Sequence, residues 1–114
     1  LQTRRGNRLP DPLAWMLRWF AIQGNSLEPE YRAGDYALAA RLPGWWGRLR
    51  AGDVVVCRVP AYGTLVKRVE RIDPLKQEVY VTGSQPESVD SRVFGALTRP
   101  QVLGKIIWHV RKAS

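Results

Sequence analysis

Apolar and polar positions alternate with the two-residue period of strands over much of the chain. Glu78-Val-Tyr-Val-Thr alternates and stops at Gly83. Thr64-Leu-Val-Lys-Arg-Val-Glu-Arg-Ile ends at Asp73-Pro74, a turn signal. Asp53-Val-Val-Val-Cys-Arg-Val is β-branched and ends at Pro60, and residues 36–41 form a shorter apolar run. Residues 102–110 make the last predicted strand. Near the start the pattern is ambiguous: residues 13–19 fit two helical turns, while residues 20–24 read as a strand entering a turn. Glycines and prolines punctuate these runs at short spacing. The expected fold is therefore mostly β, a small antiparallel barrel or pair of sheets with little helix.

Two interruptions stand out. LPGWWGRLRAGD carries Trp45 and Trp46 between glycines, with Arg48 and Arg50 close by. GSQPESVDSRVFGALTRP is long and polar for a connection in so small a domain, and such loops are usually functional. Residues 1–12 read as a basic, flexible lead-in and 13–114 as a single domain, since 114 residues suffice for one core.

Composition narrows the chemistry. Eighteen Lys and Arg against ten Asp and Glu give a net charge of +8, which attracts polyanions. The basic residues form no run or stripe, and strand aromatics are too sparse for a base-stacking platform, so nucleic acid is disfavoured as a partner. One cysteine and one histidine exclude an internal disulfide and a Cys- or His-rich metal site; no metal or cofactor is expected. The longest apolar run, LAWMLRWFAI, is broken by Arg18 and falls short of the ~20 residues of a membrane span.

Nucleophile chemistry is constrained by elimination. His109 sits in the apolar last strand and reads as a packed or edge residue, and Cys57 continues a valine run and reads as core. A serine activated by a lysine remains. The lysine must be neutral to act as base, which requires burial among apolar groups. Strand alternation puts Lys67 on one face with Leu65 and Val69, and Arg68 on the other with Val66 and Glu70. A lysine at a strand edge is the bland alternative.

Five segments then fall in an informative order. GNSLEPEYRAGD resembles the serine motif of type I signal peptidases, AGDVVVCRVP their following Gly-Asp-Val-Val strand, and TLVKRVERID their Lys-Arg strand. GSQPESVDSRVFG resembles their Ser-x-Asp-Ser-Arg motif, and LGKIIWHVRK their closing Gly-Lys strand. Leu27 stands where methionine is common, and Ser84-Gln85 replaces Asp-Asn in a loop one residue shorter than usual.

The resemblance implies a signal-peptidase-like, mostly-β domain that cleaves peptide bonds with a Ser/Lys dyad. Ser26 would be the nucleophile, Lys67 the general base, and Ser88 the hydroxyl that orients the lysine. The Ser26 N–H would form the oxyanion hole, with Gly24 at the position where some members supply a hydroxyl. Asp90 and Arg92 match a structural ion pair beneath the site, with Arg68 as third member. The substrate would be a protein segment bound as an added strand, and the reaction removal of an N-terminal leader, signal or pro-segment.

Two settings fit. A secretory signal peptidase works at the extracytoplasmic membrane face, and Trp45 and Trp46 are candidates for peripheral membrane contact. A small soluble relative, in the style of nickel-type superoxide dismutase maturation proteases, would trim one cytoplasmic partner; the shortness and closely set motifs are similar to that subgroup. The alternative outside catalysis is a weak or inactive relative, a basic β-barrel binding nucleic acid or a membrane surface.

Overall fold

The structure, a computed structural model, describes residues 16–23, 27, 30–84 and 89–112. The lead-in expected over residues 1–12 lies outside them. The described strands are β1 Leu17–Ala21, β2 Tyr36–Ala40, β3 Val54–Val59, β4 Gly63–Asp73, β5 Glu78–Thr82, β6 Leu97–Thr98 and β7 Val102–Val110. They form one antiparallel sheet in the order β1-β2-β7-β3-β4-β5-β6. A single helical turn, α1 Ser91–Phe94, joins β5 to β6, and short 3-10 turns cover Trp46–Arg48 and Arg99–Gln101.

The mostly-β expectation holds, but the sheet does not close into a barrel. Closure requires the two outer strands to pair. Here β6 is two residues long and meets only β5, through Glu78–Thr98 and Val79–Leu97. No ladder among the described residues joins it to β1.

The helical option for residues 13–19 is corrected over residues 17–19, while Met16 is helical. Leu17 to Trp19 pair with Ala40 to Leu38, so cross-strand partners override the local apolar pattern. Residues 13–15 lie outside the description.

Because the sheet is open, it buries apolar groups on both faces. The two sets diverge at β3, whose Val55, Cys57 and Val59 point into one cluster and Val54 and Val56 into the other. The first cluster adds Val69, Val79, Val81, Leu97 and Leu49. The second adds Ile22, Leu27 and Tyr31 from the segment after β1, with Ala37, Ala39 and Ile106. This explains the continuous valine run: a central strand covered on both sides has no polar face to alternate with. Each fully buried valine there contributes about 1.5–3 kcal/mol of apolar transfer.

Bulges adjust the register where strict alternation would fail. Val69 pairs with Val81, and the next paired residue of β4 is Arg71, opposite Tyr80. The extra residue, Glu70, lets Val69 and Ile72 pack against the same core although they are three positions apart. At the crossing of β7 and β2, Gly104 lies so close that a Cβ would stand 3.1 Å from both Ala39 Cβ and Ala40 O. Only a glycine permits that approach without displacing the neighbouring strand.

Candidate active site

β4 carries Lys67 opposite Val55, which is fully buried. Lys67 itself is 2% exposed, among the largest fully buried side chains of the molecule. Its ammonium forms no hydrogen bond or ion pair with a described residue. Desolvation therefore dominates and lowers its pKa, opposed by the charges of Asp90 and Cys57 and assisted by that of Arg92. A lysine in this state is biased toward the neutral amine that a general base requires.

The acid nearest in electrostatic effect is already committed. Asp90 is completely buried. Its Oδ1 accepts from Arg92 Nε at 3.0 Å and from the Arg92 backbone N–H at 3.0 Å, and its Oδ2 accepts from an Arg92 guanidinium N–H at 2.9 Å. Thr82 Oγ1 lies 3.4 Å from the same Oδ2. Burial alone would raise this carboxyl, but the hydrogen bonds from Arg92 outweigh it and the net shift is downward. The bidentate geometry directs the carboxylate charge mainly at Arg92; its remaining pull on Lys67 is the largest that favours the charged amine, and desolvation outweighs it.

The local sequence explains this placement. Asp90 is the N-cap of α1, its side chain taking the N–H two residues on, and Gly95 ends the turn with φ of 83°. Ser91 Oγ accepts from Val81 N–H at 2.8 Å and fastens the turn to β5. Aspartate, serine and arginine in this order thus cap, fasten and neutralise one helical turn beneath Lys67.

Arg68, expected as a third member of the Asp90–Arg92 pair, points elsewhere. It donates to Gly52 O at 2.9 Å and pairs with Glu30. Alternation put it on the opposite face from Lys67, and there it ties β4 to the segment that follows residues 24–26. Glu30 was not singled out from sequence; an exposed carboxylate in a turn gives no local sign of a partner 38 positions away.

Gly24, Ser26 and Ser88 lie outside the described residues. What the structure describes is the frame around residues 24–26. Ile22 N–H donates to Asp35 O at 2.8 Å and Gly34 N–H to Ile22 O at 3.0 Å, closing the loop at its base. Leu27 and Tyr31 are buried in the second core. Asp35, 2% exposed, accepts at Oδ1 from Lys112 N–H at 2.8 Å and at Oδ2 from Arg32 N–H at 3.1 Å. His109 Nε2 lies 2.8 Å from Oδ2. These bonds, the Lys112 amide first, lower the Asp35 carboxyl to about 2. It is ionised at neutral pH and can only accept, so Nε2 carries the hydrogen. The His109 ring also stacks on Tyr31 at 4.3 Å. The lone histidine is part of a clasp between β7 and the 22–35 loop, a role its apolar strand position concealed.

A groove of about 480 Å³ passes between β1 and the start of β4. Arg18, Phe20, Gln23, Tyr62, Thr64 and Val66 line it. Gln23 directly precedes residues 24–26, and Val66 directly precedes Lys67. Here β4 pairs with β3 from Gly63 onward, whereas its ladder to β5 begins only at Arg68.

Burial makes Cys57 a poor nucleophile. It is fully buried, its Sγ lies 3.6 Å from Leu65 O, and burial pushes its thiol up to about 12 despite the nearby Lys67 charge. Trp45 and Trp46 are half-buried, packed edge to face at 5.6 Å and set against the first core, with Trp46 Nε1 donating to Gln77 Oε1 at 2.9 Å. Among the described residues, no three His, Cys, Asp or Glu side chains are grouped so as to hold a metal ion.

Residues 13–72 match the family model described as signal peptidase, peptidase S26. The match spans more than half of the chain and contains both the GNSLEPE segment and Lys67. The chain belongs to the signal peptidase S26 family, a class of serine peptidases. No curated protein matches it.

Proposed function

We propose that the protein is a serine endopeptidase in which Ser26 attacks the peptide carbonyl and Lys67 acts as general base. The observation that carries this reading is the burial of Lys67, whose desolvation outweighs the opposing charge of Asp90 and favours the neutral form. In the first step Lys67 Nζ takes the Ser26 hydroxyl proton as Oγ bonds to the carbonyl carbon. The protonated amine then gives that proton to the leaving amine, and an acyl-enzyme remains. Water, deprotonated by the same amine, bonds to the acyl carbon, and the amine passes that proton to Ser26 Oγ as the ester bond breaks and the acid product leaves. Ser88 orients the lysine, and the Ser26 N–H holds the oxyanion beside Gly24.

The peptide lies extended in the groove between β1 and β4, where backbone pairing to a strand edge gives affinity and alternate side chains give selectivity. The substrate class is the N-terminal leader or pro-segment of another protein. Cleavage of a peptide mixture carrying small residues at alternate positions, read by mass spectrometry, tests this proposal. Cuts by the wild type and none by Ser26→Ala or Lys67→Met support it. Equal cutting by either variant overturns the dyad.

A further inference from the structure

Two arginines stand where the second core would otherwise continue. Alternation in β3 turns Arg58 to the face of Val54 and Val56, both packed in that core, yet Arg58 is exposed and is the strand's one charged residue. Alternation in β1 turns Arg18 to the face of Phe20, which packs against the same core. Both arginines line the groove between β1 and β4, alongside the half-buried Phe20 and Val66. The Arg18 guanidinium lies 4.9 Å from the centre of the Phe20 ring. No Asp or Glu lines the groove, and among the described residues neither arginine has an ion-pair partner. A cleft with cations of one sign over an apolar floor concentrates their field on whatever enters it.

We propose that the groove selects peptides with an aspartate or glutamate about three to five residues from the bond that is cut, and that Arg18 and Arg58 determine this specificity. The inference rests on the groove holding the substrate, as proposed above. Strand geometry sets the spacing. Thr64, opposite Arg58, stands three positions before Lys67, about 10 Å along an extended strand. Arg18 stands five positions before Gln23, about 17 Å from the residue that adjoins 24–26. An extended peptide rises at the same rate, so its side chains reach the arginines that many residues from the dyad. A carboxylate there takes paired hydrogen bonds from a planar guanidinium, beside apolar groups that displace water. A lysine or arginine at the same position is repelled, which makes the selection a difference between substrates rather than a general affinity.

Binding and cleavage are measured apart, so either can fail alone. Binding is read by fluorescence anisotropy on the full chain carrying Ser26→Ala. The probes are capped peptides of alanine, serine and valine, about ten residues long with a neutral fluorophore, and with one Asp, Asn or Lys at each position in turn. Asp at one or two positions is expected to tighten binding at least about fivefold over Asn, less so in about 0.5 M salt. Arg18→Gln with Arg58→Gln abolishes that gain, and Arg18→Glu with Arg58→Glu transfers it to the Lys peptides. Lys76→Gln with Arg99→Gln removes the same charge from exposed positions outside the groove and keeps the gain. All six substitutions fall at exposed positions, and far-UV circular dichroism checks the fold. Equal binding of Asp and Asn peptides at every position overturns the proposal. So does a gain that the Lys76 and Arg99 variant loses equally, which assigns it to the net charge of +8. Cleavage by the wild type with no preference for Asp over Asn overturns the proposal and leaves the dyad standing. Acid-selective binding without any cleavage by the wild type supports the groove's selectivity and overturns the dyad.

Discussion

Lys67 and Asp35 are buried to the same extent, 2% exposed each, yet the fold treats them in opposite ways. Asp35 receives two backbone N–H bonds and a histidine, so its charge is stabilised and its carboxyl pushed down to about 2. Lys67 receives no bond from a described residue, and its charge is destabilised by desolvation. A fully bonded buried charge is a structural device. A buried base whose charged form is disfavoured costs stability and is useful mainly for moving protons.

The largest expected difference is in activity. Lys67→Met removes the proposed base while keeping the apolar stem, and should lower cleavage about a thousandfold or more. The same change should leave the melting temperature equal or raise it, because it removes the cost of desolvating an amine. Asp35→Ala should do the reverse: a melting temperature lower by about 5–10 °C in calorimetry, from three lost hydrogen bonds at one site. Substitutions that both lowered stability alike would erase the distinction between the two residues.

The pH dependences should also run in different windows. Unfolded, Lys67 holds its proton to about pH 10.4, whereas in the fold it loses it at lower pH. Between those values the unfolded chain binds more protons, so stability from this group rises with pH, and cleavage rises over the native part of that window. For Asp35 the native carboxyl titrates at about 2 and the unfolded one near about 3.9. Its contribution is complete above the higher value and is lost as pH falls toward the lower. Acid melts followed by circular dichroism, with and without Asp35→Ala, measure that loss.

Arg92→Ala sharpens the comparison by turning one kind of site toward the other. Asp90 would keep its burial and lose its guanidinium, leaving its charge directed at Lys67. The pH profile of cleavage should move to higher pH, with a fall of a few degrees in melting temperature; a profile that stays in place would show that Arg92 matters only for the fold. The smallest effect concerns Cys57. With its thiol pushed up to about 12, native protein at neutral pH should react with a disulfide reagent far more slowly than urea-unfolded protein.

Much of the fold could be read from the residues, because β3, β4, β5 and β7 combine β-branched runs with firm turn signals. Lys67's burial was likewise readable from its apolar neighbours on alternate positions. Other features depended on partners distant in sequence. The barrel option failed because nothing in the sequence shows that β6 would be only two residues long. Arg68 was assigned by motif, but its face and its partner Glu30 are set by the pairing of β4 with β3. His109 looked inert because its function lies in contacts with Asp35 and Tyr31, more than 70 positions earlier. Glu70 as the bulge residue of β4 could have been suspected, since Val69 and Ile72 stand three apart in an otherwise alternating strand.

The most direct test of the base mechanism is titration of the Lys67 side-chain nitrogen by NMR, with Lys67→Met to assign its signal. The dyad mechanism predicts that Lys67 loses its proton well below the ordinary lysine value of about 10.4. Titration of Lys67 at the ordinary lysine value near about 10.4 would contradict it.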